Sequence, residues 1–348
     1  MTKARTKTRQ AKTSTPRSHV TGLLGAAGGY TDGSLVATDD HRRFWGVPTL
    51  LKAQIARLVD KPTIGLFGIP FDGGNSRTPG TRFGPRGLRN ASFRISGYNA
   101  DFDISPHVDH RLADYGDVVL SPFSIEDAYK SIQGATARII ADGALPIAVG
   151  GDHSVTLPVM RAVCTKHGPL AVIHFDAHCD VSDSAFGKKY HYGSVFRRAV
   201  EEGLVKPGRF LQVGIRKFYH SGELEFVKRN KFEVITAKDL KRLGPNLRTS
   251  LERRFRRLRG NKIYVTFDID FVDYAYAPGI GSPEPFGPSS FEAIECVKAL
   301  NVVGKDIVGF DIVEVAPPLD VRDQTSYLAA QILFEMVSVV PPTVRSSR

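Results

Sequence analysis

The chain has 348 residues, of which 42% are hydrophobic and 24% are charged, a composition typical of a globular protein with a sizeable core. No apolar run reaches the roughly 20 residues needed to span a bilayer, and no apolar segment opens the chain. We therefore expect neither a membrane-spanning protein nor a secreted one. The three cysteines form no CxxC pair, which indicates reduced thiols and a cytoplasmic location.

Positive charge is concentrated at the start of the chain. The net charge is +11, and residues 1–19 contain six Lys or Arg residues and no acidic residue. Because this segment has almost no apolar residues, we expect a disordered basic tail, and we interpret residues 1–45 as this tail plus an N-terminal extension. A polyanion-binding tail is the alternative, although nucleic acid is not the expected partner of the protein. Residues 46–340 are predicted to form the functional domain.

Short β-rich runs alternate with helical patterns along the rest of the chain. The predicted strands are residues 63–71, 144–151, 170–176, 209–215, 232–236, 262–270 and 306–315. Helical patterns separate most of them, for example at residues 125–142, 196–202 and 291–300. Strand, helix and strand in alternation predict an α/β fold with a parallel sheet covered by helices on both faces, and the continuous apolar strands agree with that.

Polar residues close four of these strands, in the segments "GGDHS", "FDAHCD", "FDIDFVD" and "DIVEVAPP". Ligands bind at the carboxyl ends of parallel strands, and residues two apart on a strand point to the same face. We therefore expect four carboxylates and two imidazoles to converge at one edge of the sheet. These residues are His153, Asp176, His178, Asp180, Asp268 and Asp270.

This set of residues predicts a metal site with two ions. Four clustered carboxylates would repel one another, and cations remove the conflict. Mixed carboxylate and imidazole ligands suit Mn²⁺, Zn²⁺, Fe²⁺, Co²⁺ or Ni²⁺ better than Ca²⁺, and six ligands suit two ions about 3.5 to 4 Å apart. The alternative for any single Asp is a cap at a strand–helix junction. His174 is out of phase with His178, so we interpret it as a core histidine.

Six segments of the chain resemble the ureohydrolases, the arginase and agmatinase family, and they spread over residues 63 to about 330. The segments read "GIPFDGGNSRTPGTRFGPRGLR", "VGGDHS", "HFDAHCD", "FRRAVEEG", "TFDIDFVDYAYAPGIGSPEPFG" and "GFDIVEVAPPLDVRDQTSYLAA". The resemblance implies a three-layer α/β/α sandwich with a mostly parallel sheet. It also implies two Mn²⁺ ions per subunit, a trimer or hexamer, and hydrolysis of a guanidino compound to urea and an amine.

The resemblance further implies roles for individual residues. In this family a hydroxide that bridges the two metal ions attacks the guanidinium carbon. Asp180 matches the family's bridging Asp, which takes the hydroxide proton and passes it to the leaving nitrogen. Glu314 matches the Glu that pairs with the guanidinium group of the substrate.

The chain departs from the agmatinase-like pattern near the expected substrate. The usual active-site His falls on Tyr192, and His191 lies one place earlier. A Tyr, with a pKa near 10, is a poor proton shuttle at neutral pH. Either His191 takes this role through a shifted loop, or proton transfer differs in this protein. Tyr192 and Tyr274, which stands at a usual Pro position, are expected to contact the substrate.

These aromatic replacements favour a compact or alkylated guanidine, or a biguanide such as metformin, over arginine. Agmatine and guanidinobutyrate are the alternative substrates. Mn²⁺ and Ni²⁺ both remain open as the metal. We expect a homo- or hetero-oligomer without membrane attachment. A hypothesis of another class is a non-catalytic subunit of a heteromeric ureohydrolase, favoured by the His lost at Tyr192 and opposed by the intact ligand set.

Overall fold

A computed structural model describes residues 46–344, so the predicted tail and extension at residues 1–45 lie outside the described residues. The strands in this range are β1 (Gln54–Ile55), β2 (Ile64–Gly68), β3 (Leu112–Asp117), β4 (Leu145–Val149), β5 (Leu170–Phe175), β6 (Val205–Ile215), β7 (Glu233–Thr236), β8 (Ile263–Asp268) and β9 (Ile307–Val313). They form one sheet in the order β1-β3-β2-β4-β9-β8-β5-β6-β7. Every strand pair in this sheet is parallel.

Helices connect the strands, as parallel pairing requires. Over residues 46–344 the helices are α1 (Gly84–Ala91), α2 (Pro106–Asp109), α3 (Ile125–Ala141), α4 (Thr156–His167), α5 (Val195–Glu201), α6 (Ser221–Arg229), α7 (Ala237–Leu243), α8 (Leu247–Phe255), α9 (Ser290–Lys298) and α10 (Gln324–Ser338). Side-chain caps start several of them. For example, Ser289 Oγ accepts from the amide of Glu292 while the Glu292 carboxylate accepts from Ser289, which satisfies free amides at the start of α9.

Two hydrophobic cores cover the two faces of the sheet. Alternate residues of each central strand point to opposite faces, so Ile173 of β5 lies in one core and Val172 lies in the other. Helices α1, α8, α9 and α10 pack on the first face, and α3, α4, α5 and α6 pack on the second. The predicted three-layer α/β/α sandwich is therefore confirmed.

The sequence patterns located seven strands but not β1 and β3. Strand β3 contains Asp114 and Gly116, which break the apolar run that marks a buried strand. Asp114 is nevertheless buried, because the guanidinium of Arg89 donates to both of its carboxylate oxygens and the amide of Leu50 donates to one of them. This pairing with residues distant in sequence makes a charged residue compatible with the sheet.

No helix in residues 46–344 is both long enough and apolar enough to cross a bilayer.

Candidate metal centre

Four neighbouring strands bring their polar ends to the middle of the sheet. Strands β4, β9, β8 and β5 are adjacent in that order, and each ends in an acidic residue or is soon followed by one. A turn of 3-10 helix, His153–Val155, begins shortly after β4 and carries the first predicted ligand. Glu314 follows β9 directly, and Asp176 follows β5. The carboxyl ends of parallel strands meet at one edge, so these residues become neighbours in space.

Three carboxylates surround the imidazole of His153. Its Nδ1 atom lies 2.9 Å from Asp180 Oδ2 and 3.2 Å from Asp176 Oδ2. Asp268 Oδ2 lies 3.3 Å from the same nitrogen. No contact of this nitrogen within residues 46–344 has hydrogen-bond geometry, so the nitrogen is available to bind an ion. On the opposite side of the ring, Nε2 lies 3.0 Å from Thr266 Oγ1, which fixes its orientation.

A second group of ligand atoms lies beside the first and shares Asp176 with it. The Nδ1 atom of His178 lies 2.9 Å from Asp270 Oδ2 and 3.5 Å from Asp176 Oδ1. The ligand atoms of these three residues lie within 4.8 Å of one another, and all three residues are buried. A carboxylate shared by two groups of ligands suits a pair of divalent ions.

Burial shifts the pKa values of several of these carboxyl groups away from their ordinary values. Burial is the main cause that raises the pKa of Asp268 and Asp270, and neighbouring carboxylates add to it. Burial and the charge of Asp176 raise the pKa of Asp180 to about 7. Burial acts on Asp176 in the same direction, but the surrounding imidazoles hold its pKa well below the ordinary value. Buried acids with so few positive partners are stabilised by cations, and the mixed oxygen and nitrogen donors fit divalent transition metals.

The two groups of ligands open into a cavity of about 290 Å³. Its lining includes four of the six predicted metal ligands together with both residues at the altered family position and the predicted guanidinium partner. These residues are His178, Asp180, His191, Tyr192, Asp268, Asp270 and Glu314. His153 and Asp176 lie deeper and are fully buried.

Glu314 has one carboxylate oxygen available to a ligand. Its Oε1 atom accepts a hydrogen bond from the amide of His153 at 2.8 Å. Its Oε2 atom is buried and has no hydrogen-bond partner within residues 46–344. Burial raises the pKa of Glu314 well above the ordinary value, and the charge of Asp152 adds to this. The residue adopts a φ of 66°, and such strained backbone is often found at functional sites.

The neighbours His191 and Tyr192 face the cavity differently. His191 is 8% exposed, and neither of its ring nitrogens has a hydrogen-bond partner within the described part of the chain. Burial is the main cause that lowers its pKa, and nearby Arg198 contributes, so the ring is neutral at pH 7. The hydroxyl of Tyr192 instead accepts a hydrogen bond from Ser76 Oγ at 3.3 Å.

Tyr274, predicted from the sequence to contact substrate, is not among the residues that line this cavity. The residue is 48% exposed. The loop that carries it is held toward α10, because Gln324 Nε2 donates to the carbonyl oxygens of Ala275 and Tyr276. The contact of Tyr274 with substrate therefore stays a prediction, and the structure places the residue outside this cavity.

The sequence patterns missed Tyr219, whose aromatic ring lines the cavity together with Tyr192. Tyr219 stacks on His178 with ring centroids 5.7 Å apart and planes 9° apart. Arg77 Nη2 donates to the Tyr219 hydroxyl at 3.2 Å. Tyr219 follows β6, which is the neighbour of β5, so the rule that ligands bind at the carboxyl ends of strands could have located it.

Comparison with known proteins agrees with this architecture. The sequence pattern of the arginase family matches residues 62–338. A guanidinobutyrase from Pseudomonas aeruginosa is 38% identical over 87% of this chain and 95% of that protein. A mitochondrial agmatinase from Gallus gallus is also 38% identical, over 85% of this chain and 86% of that protein. The solved structure of proclavaminate amidino hydrolase from Streptomyces clavuligerus superposes with a TM-score of 0.79 at 33% identity, covering 85% of this chain and 98% of that one.

The fold and the convergent carboxylates and imidazoles define a metal-dependent amidinohydrolase that acts on a guanidino compound. The chain belongs to the arginase family, on its agmatinase-like branch. Enzymes of this family use a binuclear divalent metal site, and the buried donor atoms around His153 and His178 fit such a pair of ions.

Proposed function

We propose that this protein hydrolyses a C–N bond of a guanidino compound to release urea and an amine, or guanylurea and an amine from a biguanide. The observation that carries the proposal is the convergence of the six predicted metal ligands beside the free Oε2 atom of Glu314. Two divalent ions, Mn²⁺ or Ni²⁺, would lower the pKa of a water molecule toward neutrality. The ligand residues would be His153, Asp176, His178, Asp180, Asp268 and Asp270.

Side chains of the protein carry out the remaining steps. Glu314 Oε2 accepts from the planar N–H groups of the substrate and holds its carbon against the nucleophile. Asp180 accepts a proton and delivers it to the leaving nitrogen, a role that suits a carboxylate beside the cavity. His191, buried, neutral and without a hydrogen-bond partner, completes proton transfer to the departing amine. We assign this role to His191 rather than to Tyr192.

We propose a compact or alkylated guanidine or a biguanide as the preferred substrate. The cavity of about 290 Å³ is at the small end of the range for small-molecule sites. Tyr192 lines it, and so does Tyr219, whose flat ring can stack on a planar cation. Neither residue offers the charged partner that the α-amino group of arginine would need.

A specific observation favours a guanidino acid as the second candidate. Arg77 lies at the mouth of the cavity, and no carboxylate in residues 46–344 lies within ion-pair distance of it. Lys217 lies close by, with Nζ 5.9 Å from the centroid of the Tyr219 ring. Lys217 is partly balanced by Glu284, 3.6 Å away, so a net positive charge remains at the mouth. This charge would attract a carboxylate and repel the ammonium group of agmatine.

Release of urea and amine, measured together with metal content, tests these proposals. The purified protein is supplied with Mn²⁺ or Ni²⁺ and given guanidine, metformin, agmatine, 4-guanidinobutyrate or arginine. Agmatine and 4-guanidinobutyrate form a matched pair, because they differ mainly in the charge of the terminal group. Preference for guanidine or metformin supports the compact substrate, whereas a preference for 4-guanidinobutyrate that Arg77→Gln removes supports the guanidino acid.

The same sample separates an enzyme from a non-catalytic subunit. Two bound ions per chain with turnover support the proposed hydrolase. A chain that holds no metal and turns over none of the five compounds would contradict it. The native mass of the purified protein tests the further proposal of a trimer or hexamer.

A further inference from the structure

A buried chain of hydrogen bonds runs from strand β6 to the carboxylate that the two ligand groups share. Gln212 Nε2 donates to the carbonyl oxygen of Cys179 at 2.8 Å and lies 3.2 Å from His174 Nδ1. His174 Nε2 in turn lies 2.7 Å from Asp176 Oδ2. The side chains of Gln212, His174 and Asp176 are all fully buried. None of the proposed catalytic steps uses Gln212 or His174.

The carbonyl oxygen of Cys179 determines which group donates and which accepts in each of these hydrogen bonds. Reversing the Gln212 amide would place two carbonyl-type oxygens 2.8 Å apart, so the amide nitrogen must face Cys179. This orientation leaves Gln212 Oε1 without a hydrogen-bond partner within residues 46–344. The second N–H of the same amide points to His174 Nδ1, which must therefore accept. The proton of the neutral ring is then on Nε2, from which it is donated to Asp176.

His174 also lies close enough to His153, Asp176 and Asp180 for its ring to be considered a metal ligand. Its hydrogen bonds argue against that role, because both ring nitrogens already have partners. The Nδ1 atom of His153 offers the contrast, since it has no hydrogen-bond partner in the described residues. Of the two rings, His153 is the one free to bind an ion.

Both oxygens of Asp176 are held by donors from the protein. Oδ2 accepts a hydrogen bond from His174 Nε2 at 2.7 Å, and Oδ1 accepts one from the amide of His178 at 2.6 Å. Rotation of the carboxylate would break both bonds. Each oxygen keeps a lone pair on the side of one ligand group, Oδ2 toward His153 and Oδ1 toward the His178 ring. A carboxylate so fixed is oriented to bridge two ions.

We propose that Gln212 and His174 are positioning residues that lock Asp176 in the orientation needed to bridge the two metal ions. The inference rests on the proposed metal ligands but on no choice of substrate. His174 packs between Phe196 and Phe210, with ring centroids 4.2 and 6.1 Å away, so an aromatic replacement keeps the packing while removing the hydrogen bonds.

Mn²⁺ binding to the metal-free full-length protein, measured by calorimetry, tests the proposal without any activity assay. The variants are His174→Phe, which removes both bonds, and His174→Gln, whose amide N–H can still reach Asp176. Gln212→Met removes the donor that orients the ring. Thr136→Val is the matched control, because it removes a fully buried hydrogen bond to the Ile132 carbonyl in α3, which contributes no ligand.

We expect His174→Phe to weaken Mn²⁺ binding by about 10- to 100-fold, the usual effect of losing a partner of a metal ligand. Gln212→Met should weaken it by a smaller factor, and His174→Gln should recover part of the loss. Thr136→Val should lower the unfolding temperature without changing Mn²⁺ binding. A loss of packing alone cannot produce this pattern of results, so the pattern would support a positioning role.

Three results would overturn the inference. The first is wild-type Mn²⁺ affinity in His174→Phe, and the second is equal weakening in His174→Gln and His174→Phe. The third is loss of one bound ion in both His174 variants with normal binding in Gln212→Met, which would make His174 a ligand. If the wild-type protein binds no Mn²⁺ or Ni²⁺, the proposed function itself fails, which is a distinguishable outcome.

Discussion

At the scale of single residues, the site depends on which polar atoms are left without protein partners. His153 Nδ1, both nitrogens of His191 and Glu314 Oε2 are buried polar atoms without hydrogen bonds in the described part of the chain. A buried polar group without a partner costs about 1–3 kcal/mol, so several in one cavity indicate a role in binding ions or substrate. Asp114, a buried acid away from this cavity, is by contrast paired with Arg89.

Asp176→Asn should remove metal and activity together. The amide keeps the size of the side chain but loses the charge and one acceptor oxygen, so the bridging position between the ligand groups is lost. We expect kcat/KM to fall by more than about 100-fold and bound Mn²⁺ or Ni²⁺ to fall below two per chain. Metal analysis and urea release measure this. Asp114→Asn, another buried Asp of the sheet, should lose stability but keep its metal.

His191→Asn and Tyr192→Phe should separate the two neighbours at the altered family position. Loss of a general acid–base group lowers kcat by about 10²- to 10⁴-fold, and we expect this for His191→Asn with KM little changed. Tyr192→Phe removes only the hydroxyl that pairs with Ser76, so kcat should stay within a few-fold of wild type. Steady-state kinetics with the best substrate decide between them. The opposite ranking would assign proton transfer to Tyr192.

At the scale of elements, the ends of neighbouring strands approach each other so closely that side chains are excluded. A Cβ atom on Gly151 would lie 1.7 Å from the carbonyl oxygen of Phe71, far inside van der Waals contact. The carbonyl of Gly151 also accepts from the amide of Glu314 at 2.9 Å. This glycine therefore sets the distance between the loops that follow β2, β4 and β9.

Gly151→Ala should damage the site through the backbone. The added methyl group must push the loop after β4 away from Phe71, which shifts His153 and Glu314 with it. We expect a loss of about 1–3 kcal/mol in unfolding free energy and a large loss of activity. Gly134→Ala is the control, because nothing lies within 4 Å of its added Cβ and it stands in helix α3. That variant should be as stable as wild type or more so, by up to about 1 kcal/mol. Denaturant unfolding measures both, and equal stability of the two variants would contradict the close contact.

At the scale of the whole molecule, the sheet collects buried acids that only cations can stabilise at neutral pH. The folded pKa of Asp180 is about 7, above its unfolded value of 3.8, and burial also raises those of Asp268 and Glu314. The folded metal-free protein therefore binds more protons than the unfolded chain between about pH 4 and 7. Its stability falls as the pH rises through this window. Burial lowers the pKa of four histidines, which acts in the opposite direction; they are His110, His167, His174 and His191. The buried carboxyl groups with a raised pKa outnumber them, since Asp152, Asp270 and Asp311 belong to that set as well.

The metal-free protein should consequently unfold at a higher temperature at pH 5.5 than at pH 7.5. Added Mn²⁺ should raise the unfolding temperature most at pH 7.5, where the carboxylates are free to bind it. Thermal unfolding after chelation and after metal addition measures both effects. Asp180→Asn should show a smaller change with pH, since one of the titrating groups is gone. A metal-free wild type that is more stable at pH 7.5 would contradict the prediction.

Much of the fold and of the candidate site could be predicted from local patterns. The apolar run of a strand and the polar residues that end it occupy consecutive positions in the sequence. The parallel sheet between helices, the family, and a set of six residues that the fold does bring together all came from such patterns. The residues that form the wall of the cavity could not be predicted from local patterns. Ser76 meets Tyr192 across 116 positions and Arg77 meets Tyr219 across 142, so only the folded chain makes them neighbours.

The sequence by itself determined the family and the candidate ligands, because the chemistry of each ligand and its place at a strand end are local properties. Tertiary structure decided three other matters: the direction of His191 into the cavity, the exclusion of Tyr274 from it, and the support of Asp176 by His174 and Gln212. These depend on how loops from different strands pack against one another. Contacts between distant residues set that packing, and no short stretch of sequence contains them.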